Sequence, residues 1–170
     1  MLSIENDFIS DNERLKKIIL SKDSHDEAVS LALHLHALSH PAKVSGIESS
    51  FEEEILEGLT NAEYRTGHKS LFPVAWQLWH ISRIEYITGN ILIRNSTQLF
   101  NKEWQQKINA PVTDTGNAMT AKEAAAFSSG INLEELLNYR IEVAKTSRET
   151  IKSLSADATQ KKPGDESPAP

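Results

Sequence analysis

The chain has 170 residues, with 18 Lys and Arg against 24 Asp and Glu for a net charge of −6, and 39% hydrophobic residues, which is enough for one globular core without staples. The acidic balance argues against a general nucleic-acid binder, whose phosphate contacts need a basic surface. Cysteine is absent, which removes disulfides, thiolate zinc sites, iron–sulfur clusters and cysteine nucleophiles together and leaves six histidines as the nitrogen ligands.

The opening MLSIENDF has neither the basic region nor the apolar run of a signal peptide. No apolar stretch approaches the ~18 residues of a transmembrane span, so a cytoplasmic protein without membrane contact is expected. Hairpin turns between alternating segments are missing and helical spacing dominates, which predicts an all-α fold. Asn12–Leu20 forms a short lead-in helix on this reading. Ser24 and Glu27 have the spacing of a capping box and open a helix over about 25–39, with Ala28, Leu31, Ala32, Leu35 and Leu38 as its stripe and Pro41 as its stop. A short helix follows Ser50, where Glu52, Glu53 and Glu54 read as a solvated first turn favoured by the helix dipole.

The most apolar stretch lies at 70–94, capped by Ser70 with Pro73 in its first turn. Its broad apolar side carries Val74, Trp76, Leu78, Ile81, Ile84, Ile87, Ile91 and Leu92, and its polar side carries Ser82, Arg83, Tyr86 and Asn90. Trp79 falls on the polar side and needs a cover. Residues 97–108 predict a further short helix, and 109–119 a loop. Thr120 and Glu123 open a helix that ends at Gly130 as a left-handed C-terminal residue, and Asn132 caps the last long helix at 132–154. One helical domain over 1–154 is therefore expected, followed by a disordered, proline-rich tail at 155–170.

Three histidines are candidates for chemistry. His80 sits between Trp76 and Ile84 on the apolar side of the 70–94 helix, with Gln77 and Glu85 near enough to share a pocket. Spacing alone favours a core histidine held by a carbonyl or carboxylate over a metal ligand, which would need partners from other helices. His36 and His40 have the i, i+4 spacing that suits a shared metal. Their face is turned about 80–120° from the Ala28–Leu35 stripe, so solvated surface or helix-end capping is preferred and ligation is the alternative. His34 points elsewhere again, and His25, beside Ser24, and His68, beside Gly67, read as ordinary exposed residues. No nucleophile elbow or phosphate loop occurs.

The stretch from Ala75 to Glu85 (AWQLWHISRIE), followed by ITGNIL at 87–92, resembles the DinB-like superfamily. LHALSHPAKVSGIESSFEEEILEGL at 35–59, TDTGNAMT at 113–120 and INLEELLNYRIEV at 131–143 agree with it, so the resemblance spans roughly 3–152. It implies a DinB/YfiT-like four-helix bundle in which three histidines hold a divalent metal such as zinc or nickel. Relatives of this kind act as metal hydrolases or as transferases using bacillithiol- or mycothiol-type thiol cofactors on small molecules. His80 matches the ligand from the second helix of the bundle. The other two ligands of the family form a His-x-x-x-His pair on its last helix, whereas this sequence has no histidine after His80. The expectation is a bundle lacking that helix and an incomplete metal site, to which His36 or His40 is the candidate substitute. The competing expectation is a non-catalytic helical module that buries its uncovered faces by forming a homo-oligomer.

Overall fold

A computed structural model describes residues 2–67, 71–93 and 99–157, and the side chains among them except those of residues 2–6 and 90–92. The expectations for Ser70, for His68 and for the tail beyond residue 157 lie outside that range, as do those for the side chains of Asn90, Ile91 and Leu92. All regular structure among the described residues is helical. In chain order it comprises α1 (Leu2–Ile18), a 3-10 turn (Lys22–Ser24), α2 (His25–Leu38), a second 3-10 turn (Ala42–Val44), α3 (Phe51–Leu56) and α4 (Asn61–Arg65). Then come α5 (Val74–Tyr86), running on as a π-helical segment (Ile87–Ile93), α6 (Lys102–Ile108), α7 (Ala121–Gly130) and α8 (Leu133–Ser153). None of the described helices is long and apolar enough to cross a membrane.

The helix starts follow side-chain capping where the sequence offers it. Thr120 accepts from the Glu123 amide while the Glu123 carboxylate accepts from Thr120, and Thr60 and Glu63 form a second such box. Asn101, Asn132 and Ser50 each accept an amide hydrogen bond at the starts of α6, α8 and α3. Each such cap stabilises its helix by about 1 kcal/mol. Asn109 closes α6 in the left-handed region, at φ 56°. Two expected devices are not used. The Ser24 hydroxyl caps nothing, because the residue already belongs to the 3-10 turn that leads into α2. Gly130 ends α7 without a positive φ. The lead-in helix is also longer than its apolar spacing suggested, reaching back to Leu2.

α8 is the axis of the molecule. Its buried positions Leu133, Leu136, Tyr139, Arg140, Val143, Ala144, Ser147 and Thr150 recur every three or four residues, and they pack against α5 and α2 on either side. α1 lies on α2, while α4 and α7 cover part of α5.

The face that α5 buries differs from the expected one. Ala75, Trp76, Leu78, Trp79, Ser82, Arg83 and Tyr86 are inside, so Trp76 and Leu78 of the expected face are buried, while Ile81 and Ile84 each remain 43% exposed. The reason is Arg83. Its guanidinium donates to the Tyr139 hydroxyl at 3.3 Å and to the Thr113 carbonyl at 2.7 Å, and it lies 4.4 Å from the Phe100 ring centroid. A charge satisfied in this way tolerates burial, and it draws the neighbouring polar side of the helix inward with it. Trp79 thereby becomes the centre of the core, fully buried among Phe100, Phe127 and Tyr139 at ring separations of 5.0–6.2 Å. These contacts are the cover that Trp79 needed.

Candidate metal centre

His36 lies in the last turn of α2, and His40 just beyond it in the turn that Pro41 imposes. Their rings stack 3.8 Å apart and within 7° of parallel. Both residues are buried, at 7% and 8% exposure, against the solvated surface expected as one alternative. The other, helix-end capping, is met by His40, whose Nδ1 lies 2.8 Å from the His36 carbonyl in the last turn of α2. α2 is enclosed by α1 on one side and α8 on the other, so a second face of it is covered besides the Ala28–Leu35 stripe.

Glu85 enters this pair from the last turn of α5. Its Oε2 stands 2.9 Å from His40 Nε2, and its Oε1 stands 3.8 Å from His36 Nε2. Arg140 of α8 donates to the same Oε2 at 2.6 Å, and its Nε and Nη2 reach Glu52 Oε2 at 3.0 and 2.8 Å. Glu52 is consequently only 10% exposed at its side chain, which corrects the reading of Glu52, Glu53 and Glu54 as one solvated turn. The Arg140 guanidinium, buried at 4% exposure, is paired with carboxylates from two elements, and α3 is placed where it delivers one of them.

The protonation pattern follows from these contacts. Burial pushes the Glu85 carboxyl up, but the hydrogen bond from His40 and the charges of His40 and Arg140 outweigh it and hold the group down at about 2. Glu85 is therefore a carboxylate at neutral pH. His40 Nδ1 donates to the His36 carbonyl at 2.8 Å, while Nε2 faces the Glu85 carboxylate. Two acceptors leave this ring either a proton on each nitrogen or a metal ion in place of the Nε2 proton. Burial, and next the charge of His40, pull the His36 ring down to about 4, so His36 is neutral at pH 7.

Neither nitrogen of His36 has a hydrogen-bond partner, and neither does Glu85 Oε1, although all three atoms are buried. Leaving such atoms unpaired costs about 1–3 kcal/mol each, and a cation bound between them would remove much of that cost. The residues fit one. Ligand atoms of His36, His40 and Glu85 all lie within 4.8 Å of one another, and tetrahedral donors about 2.0–2.2 Å from zinc stand about 3.4 Å apart, so shifts of roughly an ångström bring them onto one ion. The His40 Nδ1 bond to a carbonyl and the Arg140 bond to Glu85 supply the outer-shell contacts that orient such ligands.

His80 is placed elsewhere. It lies five residues from Glu85, about 140° around the helix at 3.6 residues per turn. Its ring is half-buried and stacks on Trp76 at 4.7 Å, with Nδ1 2.8 Å from the Thr115 carbonyl. Of the remaining histidines, His34 is exposed and faces Asp11, whereas His25 is half-buried, with Nε2 3.0 Å from the Leu154 carbonyl. Sequence reasoning attached Glu85 to the His80 pocket and overlooked Arg140. Signals for both exist: Glu85 is the one carboxylate between Val74 and Ile93, and Arg140 interrupts the Leu136–Val143 stripe. No protein-family model, no curated protein and no solved structure matches this chain.

Proposed function

We propose that the protein is a divalent-metal-dependent enzyme on a DinB-like helical scaffold, with His36, His40 and Glu85 as its metal ligands, acting as a hydrolase or as a thiol transferase on a small molecule. The observation that carries this reading is the buried set of unpaired atoms, His36 Nδ1 and Nε2 and Glu85 Oε1, beside His40. Two imidazoles and one carboxylate suit zinc or nickel and leave coordination positions open. A metal so placed supplies Lewis acidity, which lowers the pKa of a bound water or thiol. The chain's own residues set the conditions. His36 stays neutral and available, the carbonyl of His36 fixes the His40 tautomer, and Arg140 holds the carboxylate in place.

The test is calorimetric titration of zinc or nickel into protein purified without a histidine tag, alongside elemental analysis of the protein as isolated. The expected result is submicromolar one-to-one binding. Glu85→Gln or His36→Ala should weaken it by at least about 100-fold, more than loss of an outer-shell partner does. His80→Ala should leave it within about threefold, since its ring is not among the converging ligands. Binding lost in His80→Ala but kept in His36→Ala would move the site to the His80 position, and no saturable binding in any variant would refute the reading.

A second reading is favoured by Ile81 and Ile84, each 43% exposed on the outer side of α5. It is a non-catalytic module that self-associates through this face, since each large apolar side chain left in water forgoes about 1.5–3 kcal/mol. Light scattering during size-exclusion chromatography should then report twice the 19.0 kDa chain mass, and Ile81→Glu with Ile84→Glu should halve it. A monodisperse single-chain mass with cooperative unfolding would rule this association out.

A further inference from the structure

The His36–His40–Glu85 cluster forms part of the wall of a cavity of about 420 Å³. Phe8 and Leu15 from α1, Leu35 from α2, Ile93 from the π-helical segment and Ile151 and Leu154 from the end of α8 supply apolar walls. The remaining polar lining is small and uncharged, including Asn12, Thr88, Ser147 and Thr150, and among the described residues neither lysine nor arginine lines the space. At the ~30 Å³ that each molecule occupies in liquid water, the cavity has room for on the order of ten to fourteen non-hydrogen atoms.

We propose that the cavity binds an amphiphilic monoanion, an apolar tail of about six to ten carbons carrying one anionic oxygen head, with the head on the metal held by His36, His40 and Glu85. This rests on the metal reading above and adds the ligand class. Charge decides the head. Without metal, the Glu85 carboxylate is already matched by His40 and Arg140 beside it, at 2.9 and 2.6 Å. Among the described residues no other carboxylate, lysine or arginine lines the cavity, so no cation there is left for an anion. A divalent ion with two neutral imidazoles and that carboxylate has net charge +1, so loading adds one positive charge that a monoanion matches. The walls decide the tail, because burying methylenes against Leu35, Ile151 and Leu154 favours binding roughly fourfold per buried group. A multiply charged ligand would find no second cation among the described residues that line the cavity.

The test uses the whole chain loaded with Co²⁺, whose visible absorption reports its ligands, titrated with octanoate, acetate and 1-octanol. Octanoate should shift the cobalt bands and bind at least about 100-fold more tightly than acetate, which lacks the tail. Octanol should leave the bands unmoved, and metal-free protein should bind octanoate at least about tenfold more weakly than the cobalt-loaded chain, since the head then has no cation. Gly89→Met supplies a second lever. Gly89 lines the cavity, has no positive φ, and a Cβ there meets nothing within 4 Å, so the added side chain occupies space without disturbing the backbone. It should weaken octanoate at least about tenfold while leaving acetate and the starting spectrum unchanged. Equal affinities for octanoate and acetate, or octanoate binding untouched by Gly89→Met, overturn the ligand class while the metal site stands. A chain that binds no cobalt overturns the metal reading and this inference with it.

Discussion

Replacing Arg140 by leucine should lower the unfolding free energy by about 3–5 kcal/mol, because it leaves two carboxylates inside the protein with their shared cation gone. Glu52 and Glu85 are 10% and 22% exposed at their side chains, and Arg140 also reaches the Ser39 carbonyl at 3.4 Å, so one guanidinium links α8 to α3, to α5 and to the end of α2. The penalty belongs to the stranded charges more than to lost attraction. Arg140→Leu combined with Glu52→Leu and Glu85→Gln should therefore recover most of it, as replacing every member of a buried ionic group commonly does. Urea unfolding reads both results as shifts of the midpoint at constant slope. A loss below about 1 kcal/mol in the single variant would mean that water, not protein, solvates this guanidinium.

Metal-free protein should lose stability steadily as pH falls from 6.5, and the two steps have different owners. His36 is neutral in both folded and unfolded chains above pH 6.5, and its contribution is then fully present. Between 6.5 and about 4 the unfolded chain takes up a proton that the buried ring refuses, so stability declines with acidification and the loss is complete below the folded value. Glu85 acts in the same direction over a lower window. Its folded value of about 2 lies under the ordinary 4.5, so the stability it lends is whole above 4.5 and disappears as pH falls toward 2. Each shift corresponds to something on the order of 3 kcal/mol, and because the groups share a field their sum is smaller than twice that. Thermal melts with a chelator present, from pH 7 down to 3, should show both declines. His36→Gln should flatten the upper one while leaving the lower. A chain whose melting temperature is flat from pH 6.5 to 4.5 would show that His36 gains its proton without cost.

Helix positions were largely legible in the sequence because they rest on local chemistry. Asn132, and Thr120 with Glu123, cap where their spacing says they should, and the Leu133–Val143 periodicity maps onto the buried face of α8. The rotation of α5 was not legible. A count of apolar residues puts Ile81 and Ile84 inward, yet the outcome depends on whether Arg83 finds partners, and those come from Thr113 and Tyr139, 30 and 56 residues away. His36 and His40 show the same limit from the other direction. Their i, i+4 spacing announced a shared face, but only the placement of α2 between α1 and α8 buries it, and only the last turn of α5 brings Glu85 to it.

α1 stands apart energetically as well as spatially. Its packing is chiefly on α2, with an edge-on contact of Phe8 to Phe51, and it contributes nothing to the Trp79 core. Its described side chains lie outside the interlocked aromatics of α5, α7 and α8, the kind of placement from which locally opening segments are drawn. Phe8 and Leu15 on this helix are also one wall of the cavity. A ligand seated in this open space would therefore tie α1 to the end of α8 as well as to α2, adding an anchor to a helix that has none in the Trp79 core.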